Sequence, residues 1–134
     1  MTFTRLFSTL TAALIICLAG QAQAESDLKI TEMAVTTKIV KGKPIDSVWR
    51  ISSSSVKALY CFTRMAAPEG TDTSIKHTWF LDNKVVHEDV MPVKGTRWRT
   101  YSMITVKKGV SGEWRCEATD SEGNSLKSVS FRMN

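Results

Sequence analysis

The sequence predicts an all-β sandwich of seven or eight antiparallel strands behind an N-terminal leader. Three observations predict it. Segments rich in Val, Ile, Thr, Tyr and Trp recur about every ten residues, separated by polar turns, the spacing of a sandwich. The stretch from Gly112 to Asp120 alternates strictly, with Trp114, Cys116 and Ala118 on one side and Glu113, Arg115, Glu117 and Thr119 on the other. That is the two-residue period of a strand with one face buried and one face wet. No segment has the 3.6-residue apolar period of an amphipathic helix.

Taken in order, Met1–Ala24 has the form of a secretory signal peptide. Arg5 gives the basic start, Leu10 to Gly20 the apolar centre, and Ala22-Gln23-Ala24 the small-x-small cleavage site. Cys17 follows Ile16, where a lipidated cysteine wants a small residue before it. The mature chain, 25–134, is about 110 residues, one domain with one modest core.

Leu28 to Val40 reads as a first strand, and Lys41-Gly42-Lys43-Pro44 as a turn. Ser47 to Ile51 is a short strand carrying Trp49, and the four serines Ser52 to Ser55 form an exposed bend. Val56 to Met65 places Leu59, Cys61, Thr63 and Met65 on one face and Tyr60, Phe62 and Arg64 on the other. Thr73 to Leu81 puts His77, Trp79 and Leu81 together. Asp82-Asn83-Lys84 is a tight hairpin turn, because Asp and Asn tolerate left-handed backbone. Its return strand, from Lys84 to Met91, is expected to stop at Pro92. Arg97 to Val106, Gly112 to Asp120 and Ser125 to Met133 complete the set.

The order Cys61, Trp79, Cys116 resembles immunoglobulin domains, where a core tryptophan packs on an inter-sheet disulfide. A second resemblance covers most of the mature chain. Leu59-Tyr60-Cys61-Phe62-Thr63, His77-Thr78-Trp79-Phe80, Gly95 to Ser102, Gly112-Glu113-Trp114-Arg115, Asp120 to Gly123 and Phe131 are similar to the DUF2914 domain family of bacteria. That resemblance implies a small envelope-associated β-domain and implies no known activity.

Charge and cysteine content set further expectations. Cleavage of the leader removes one of 18 basic residues and none of 13 acidic ones, so the formal net charge falls from +5 to +4. This scattered excess, in an exported chain, argues against nucleic acid as a partner and leaves attraction to an anionic envelope surface. Cys61 and Cys116 survive processing and are expected to pair as a disulfide; two buried free thiols are the alternative.

The most unusual segment is Arg97-Trp98-Arg99-Thr100-Tyr101-Ser102. Alternation points Arg97, Arg99 and Tyr101 one way and Trp98, Thr100 and Ser102 the other. Two guanidiniums and a phenol on one face suit a carboxylate, phosphate or sugar, with Trp98, Trp79 or His77 adding contact area. The competing reading is a solvated face whose arginines pair with Glu113 or Glu117. His77 and His87 with Met65, Met91 and Met103 permit a soft copper site, but their spacing forms no metal motif, so no metal and no cofactor is expected. No nucleophile-elbow, zincin or phosphate-loop pattern is present, so an enzyme is not expected. The sequence therefore reads as an exported binding or assembly module for an envelope protein or surface polymer. A small-ligand or glycan binder is the alternative.

Overall fold

A computed structural model describes residues 26–134 of the chain. The leader reading, Met1–Ala24, lies outside the described residues. Among those residues there are ten strands: β1 (Lys29–Thr36), β2 (Ile39–Val40), β3 (Lys43–Pro44), β4 (Arg50–Ile51), β5 (Ala58–Ala66), β6 (Asp72–Leu81), β7 (Lys84–Lys94), β8 (Arg97–Thr105), β9 (Gly112–Asp120) and β10 (Ser125–Met133). Three of them are only two residues long, so the longer seven match the expected number.

The strands form two facing sheets and a small hairpin. One sheet has the order β1-β5-β8, the other β4-β10-β9-β6-β7, and β2-β3 stands apart. Every pairing is antiparallel except the two-residue contact of β4 with β10. The predicted alternation sets the core. Leu59, Cys61 and Met65 face inward from β5, and Ile75, His77 and Trp79 from β6. Trp114, Cys116 and Ala118 come from β9, and Phe131 and Met133 from β10. Trp114 stacks on Phe131 at 5.9 Å, and Trp79 meets the same ring edge-on at 6.3 Å. Such pairs add specific contact to the area they bury.

Several expectations change. The first predicted strand is two, because the chain turns at Thr37-Lys38. Asp46 holds that corner: its carboxylate accepts from Thr36 Oγ1 (2.6 Å), the Thr37 amide (2.8 Å) and Thr37 Oγ1 (2.5 Å). Burial pushes the Asp46 pKa up, and the Thr36 and Thr37 hydrogen bonds outweigh it, so the net shift is downward. Pro92 does not end its strand. β7 runs on to Lys94 because it lies at a sheet edge, where a missing N–H costs no ladder bond. Cys61 and Cys116 do face each other from opposite sheets, but they are free thiols and not the expected disulfide. Their sulfurs lie within 4.8 Å of each other with no covalent bond between them.

The Asp82-Asn83 turn has both residues at positive φ (48° and 65°), the pattern of a two-residue hairpin whose twist matches its strands. It also clamps the start of β9. The Asp82 amide donates to the Glu113 carbonyl (2.8 Å), and the Glu113 amide donates to Asp82 Oδ1 (3.0 Å). Gly112 makes this approach possible: a Cβ there would lie 2.8 Å from Asp82 Oδ2 and from Leu81 Cδ1, at φ 141°.

Two outcomes follow. Gly112→Ala loses about 1–3 kcal/mol of stability, read as a lower urea midpoint by tryptophan fluorescence; an unchanged midpoint refutes the clamp. Asp46→Ala loses about 1–2 kcal/mol, from hydrogen bonds to a charged acceptor. Because folding depresses the Asp46 pKa, its contribution is present above the unfolded carboxylate value and is lost as pH falls through the folded one. The gap in midpoint between wild type and this variant therefore closes below about pH 4.

Candidate functional site: a cationic groove and the core beneath it

Strand β8 carries two different faces. Thr100, Ser102 and Ile104 turn inward, while Arg97, Arg99, Tyr101 and Met103 are exposed. The outward row lies beside the outward row of β5, with Arg64 directly opposite Arg99 and Phe62 opposite Tyr101. Arg97, Arg99, Arg64, Trp98 and Lys43 line one open groove of about 620 Å³. Lys43 reaches it because the β2-β3 hairpin turns back over this sheet, so that a Cβ added at Gly42 would lie 3.5 Å from the Arg99 guanidinium. Next to the groove, Gly42, Phe62, Arg99, Thr100 and Tyr101 line a second hollow.

The groove is strongly positive. Arg64 pairs with Glu32 on β1 at 3.5 Å. Arg97, Arg99 and Lys43 have no ion pair among the described residues. The expected pairing with Glu113 or Glu117 does not occur. Those acids belong to the other sheet, where Glu113 pairs with Arg132 and Glu117 with Arg115. Like charges directly opposite on neighbouring strands repel, so the Arg64–Arg99 pair costs stability unless an anion lies between them. Aromatic surface adjoins the charge. Tyr101 is 50% exposed and packs edge-on against Tyr60 at 5.8 Å, and half-buried Trp98 forms part of the wall.

Arg97, Trp98 and Arg99 line the groove and Tyr101 the hollow beside it, with Trp98 on the opposite row of β8 from Arg97, Arg99 and Tyr101. Trp79 and His77 line neither: both are 0% exposed, in the core below. The alternation that groups them with Leu81 is correct, but it points them into the sandwich. Sequence reasoning missed Lys43 and Arg64 as groove residues. Arg64 was legible as an outward residue two positions after Phe62; the partner strand that brings it opposite Arg99 was not.

Beneath the groove the core holds a polar cluster. Trp79 Nε1 donates to Ser102 Oγ (3.0 Å), and Ser102 Oγ also bonds His77 Nδ1 (2.8 Å). His77 Nε2 bonds Thr63 Oγ1 (3.1 Å). A hydroxyl both donates and accepts, so either neutral tautomer of His77 is satisfied here. A sulfur of Cys61, a sulfur of Cys116 and a ring nitrogen of His77 lie within 4.8 Å of one another. Burial pushes the Cys61 thiol up, but the Cys116 hydrogen bond and the His77 ring outweigh it and bring its pKa to about 6. Burial and the neighbouring Cys61 push the Cys116 thiol strongly up, so the two sulfurs do not ionise together.

The architecture is that of an immunoglobulin-like β-sandwich, with a cationic groove on the outside of its smaller sheet. Residues 72–133 match the model of DUF2914, described as a protein of unknown function. The blocks from His77-Thr78-Trp79-Phe80 onward fall inside that match, while Leu59 to Thr63 lies before it. An immunoglobulin-like protein from Pseudomonas aeruginosa is similar, with a TM-score of 0.53 at 15% identity, over 84% of this chain and 99% of that one. A Pseudomonas fluorescens alkylpurine DNA glycosylase, bound to DNA containing an abasic-site analogue, has a TM-score of 0.52 at 12% identity. That alignment covers 83% of this chain but only 31% of the glycosylase. At such identities the likeness is one of fold. No curated protein matches the sequence.

Ser102→Ala leaves the Trp79 indole N–H and a His77 nitrogen without their partner in a dry core. Expected is a loss of about 2–3 kcal/mol in urea unfolding, far above that of an exposed Ser128→Ala control. Equal midpoints for the two variants refute the bridge.

Proposed function

We propose that this chain is an exported, non-catalytic binding module that holds a carboxylate-bearing envelope polymer in the Lys43–Arg64–Arg97–Arg99 groove. The observation that carries the reading is the directly opposed Arg64 and Arg99, flanked by Arg97 and Lys43, with Glu32 the one paired acid. Guanidiniums bind carboxylates with two parallel hydrogen bonds, and several along a groove match a repeating anion. Tyr101 and Trp98 supply flat apolar surface on which a sugar ring can rest. The open, wall-like shape of the groove suits an extended polymer better than a small enclosed substrate.

Strand addition along β7 is the weaker alternative. Val85, Val86 and Val90 are exposed there. However, Lys84, Glu88, Asp89, Lys94 and Pro92 lie on the same strand, and a bulge opposite Trp79 and Phe80 interrupts its register. Charge, proline and bulges on an edge all oppose pairing with another chain.

The test is a titration of the purified chain with polygalacturonate, followed by tryptophan fluorescence and calorimetry, with neutral dextran alongside. The acidic polymer binds and dextran does not. The double variant Arg97→Ala/Arg99→Ala loses at least tenfold in affinity, while its melting temperature stays the same or rises as repulsion is relieved. Binding also weakens steeply as NaCl rises through about 0.1–0.3 M. Equal binding of both polymers, or an unaffected double variant, refutes the groove reading.

A further inference from the structure

The core cluster is unused by the groove, and it has the composition of a metal site. Cys61 comes from the smaller sheet, Cys116 and His77 from the larger one, so a group bound by all three would bridge the sandwich. All three residues are 0% exposed. Their donor atoms lie within 4.8 Å of one another. A three-coordinate centre with metal–sulfur bonds near 2.3 Å needs donor separations of about 4 Å, so at most a small inward movement of side chains closes it. Thiolate and imidazole are the donors that select soft cations over hard ones.

The surroundings narrow the choice further. No fourth cysteine, histidine or carboxylate joins the three among the described residues. Closed zinc sites are four-coordinate almost without exception, and a zinc with three protein ligands keeps water in an open position. A fully buried site between Trp79, Leu59 and Ile75 does not suit that open position. Calcium and magnesium demand six or more oxygen ligands. Three soft donors in a dry core match a cation satisfied by few ligands. The shell around the histidine is also in place. When one His77 nitrogen turns to the metal, the other keeps a hydroxyl, and on the Ser102 side that hydroxyl is anchored by the Trp79 indole N–H. A ligating histidine held through its other nitrogen is the usual second contact of a protein metal site.

We propose that Cys61, Cys116 and His77 bind one Cu(I) ion as a closed centre between the two sheets. Each sulfur binds as thiolate, so loading releases the thiol protons to solvent, and no electron is transferred. Because the site is shut in the folded chain, the ion enters as the sheets close, and the binding energy becomes folding energy. The proposal is independent of the groove.

The test refolds the full mature chain from denaturant without oxygen, with one equivalent of Cu(I) supplied as its acetonitrile complex. The product is then desalted against a Cu(I) chelator. Expected is one copper per chain after desalting and an X-ray absorption spectrum with two sulfurs and one nitrogen at the metal. Cys61→Ser/Cys116→Ser refolded in the same way retains less than a tenth of that copper. If the double variant does not fold, the wild-type ligand shell decides the matter. Any of four results overturns the proposal: copper stripped by the chelator, a shell of oxygen and nitrogen alone, equal retention by a folded double variant, or preferential retention of Zn(II) in competition.

Discussion

The structure depends on a polar bridge across its middle. Ser102 and Thr63, from the smaller sheet, hold the His77 ring and the Trp79 indole of the larger one. Apolar contact alone lets two sheets slide, because burial has no direction. Hydrogen bonds do have direction, and in a dry core an unmade one costs more than a made one gains. The bridge therefore fixes the register of one sheet on the other. Leu59, Ile75, Trp114 and Phe131 pack around that fixed centre and exclude water from it. In antibody domains a disulfide beside a core tryptophan occupies the equivalent place. Here the two cysteines are present and unbridged, and a histidine with two hydroxyls supplies the directional link.

This constraint reaches the surface through β8. Its two-residue period sends Ser102 into the bridge and Tyr101 outward beside the groove, and Arg99 stands two positions along the same outward row. Fixing Ser102 fixes the direction of both guanidiniums at their backbone. The hollow beside the groove includes Phe62, which is 1% exposed, and the Arg64 guanidinium lies 6.0 Å from its ring centre. Binding to a surface that is already ordered loses less conformational entropy than binding to a loop. The four cations can therefore remain near one another before any anion arrives.

Much of this was legible in the sequence, because strand alternation is a local property. The faces of β5, β6, β8 and β9 and the Asp82-Asn83 turn all follow from two-residue periodicity and turn chemistry. What the sequence did not carry was neighbourhood. Nothing local says that β8 pairs with β5 and not with β9, so Glu113 and Glu117 looked like partners for Arg97 and Arg99 when they face other arginines in the other sheet. Nothing local says that β7 is an edge, so Pro92 looked like a stop. His77 and Trp79 looked equally suited to a surface or a core, because alternation assigns a common face without saying which way it points. Local pattern makes β2 the end of one long strand and β3 part of the turn after it. The hairpin's turn back depends on Asp46, nine residues from Thr37, and that contact exists only in the folded chain.

The two charged features of the molecule, one outside and one inside, obey opposite rules. On the surface, repulsion between Arg64 and Arg99 is screened by water and salt, so the fold tolerates it, and a bound anion converts it into affinity. In the core no such screening operates, and burial beside Cys61 makes the Cys116 proton hard to remove. A cation in that proton's place would satisfy the same constraint more fully, since it would meet both sulfurs and the His77 ring at once. The same dry packing that makes the core rigid thus makes it selective: it rejects a hard, hydrated ion and accepts a soft one. An anion at the groove needs no rearrangement of the core, and an ion in the core needs none of the groove. The sandwich keeps the two chemistries apart by placing them on opposite faces of one sheet.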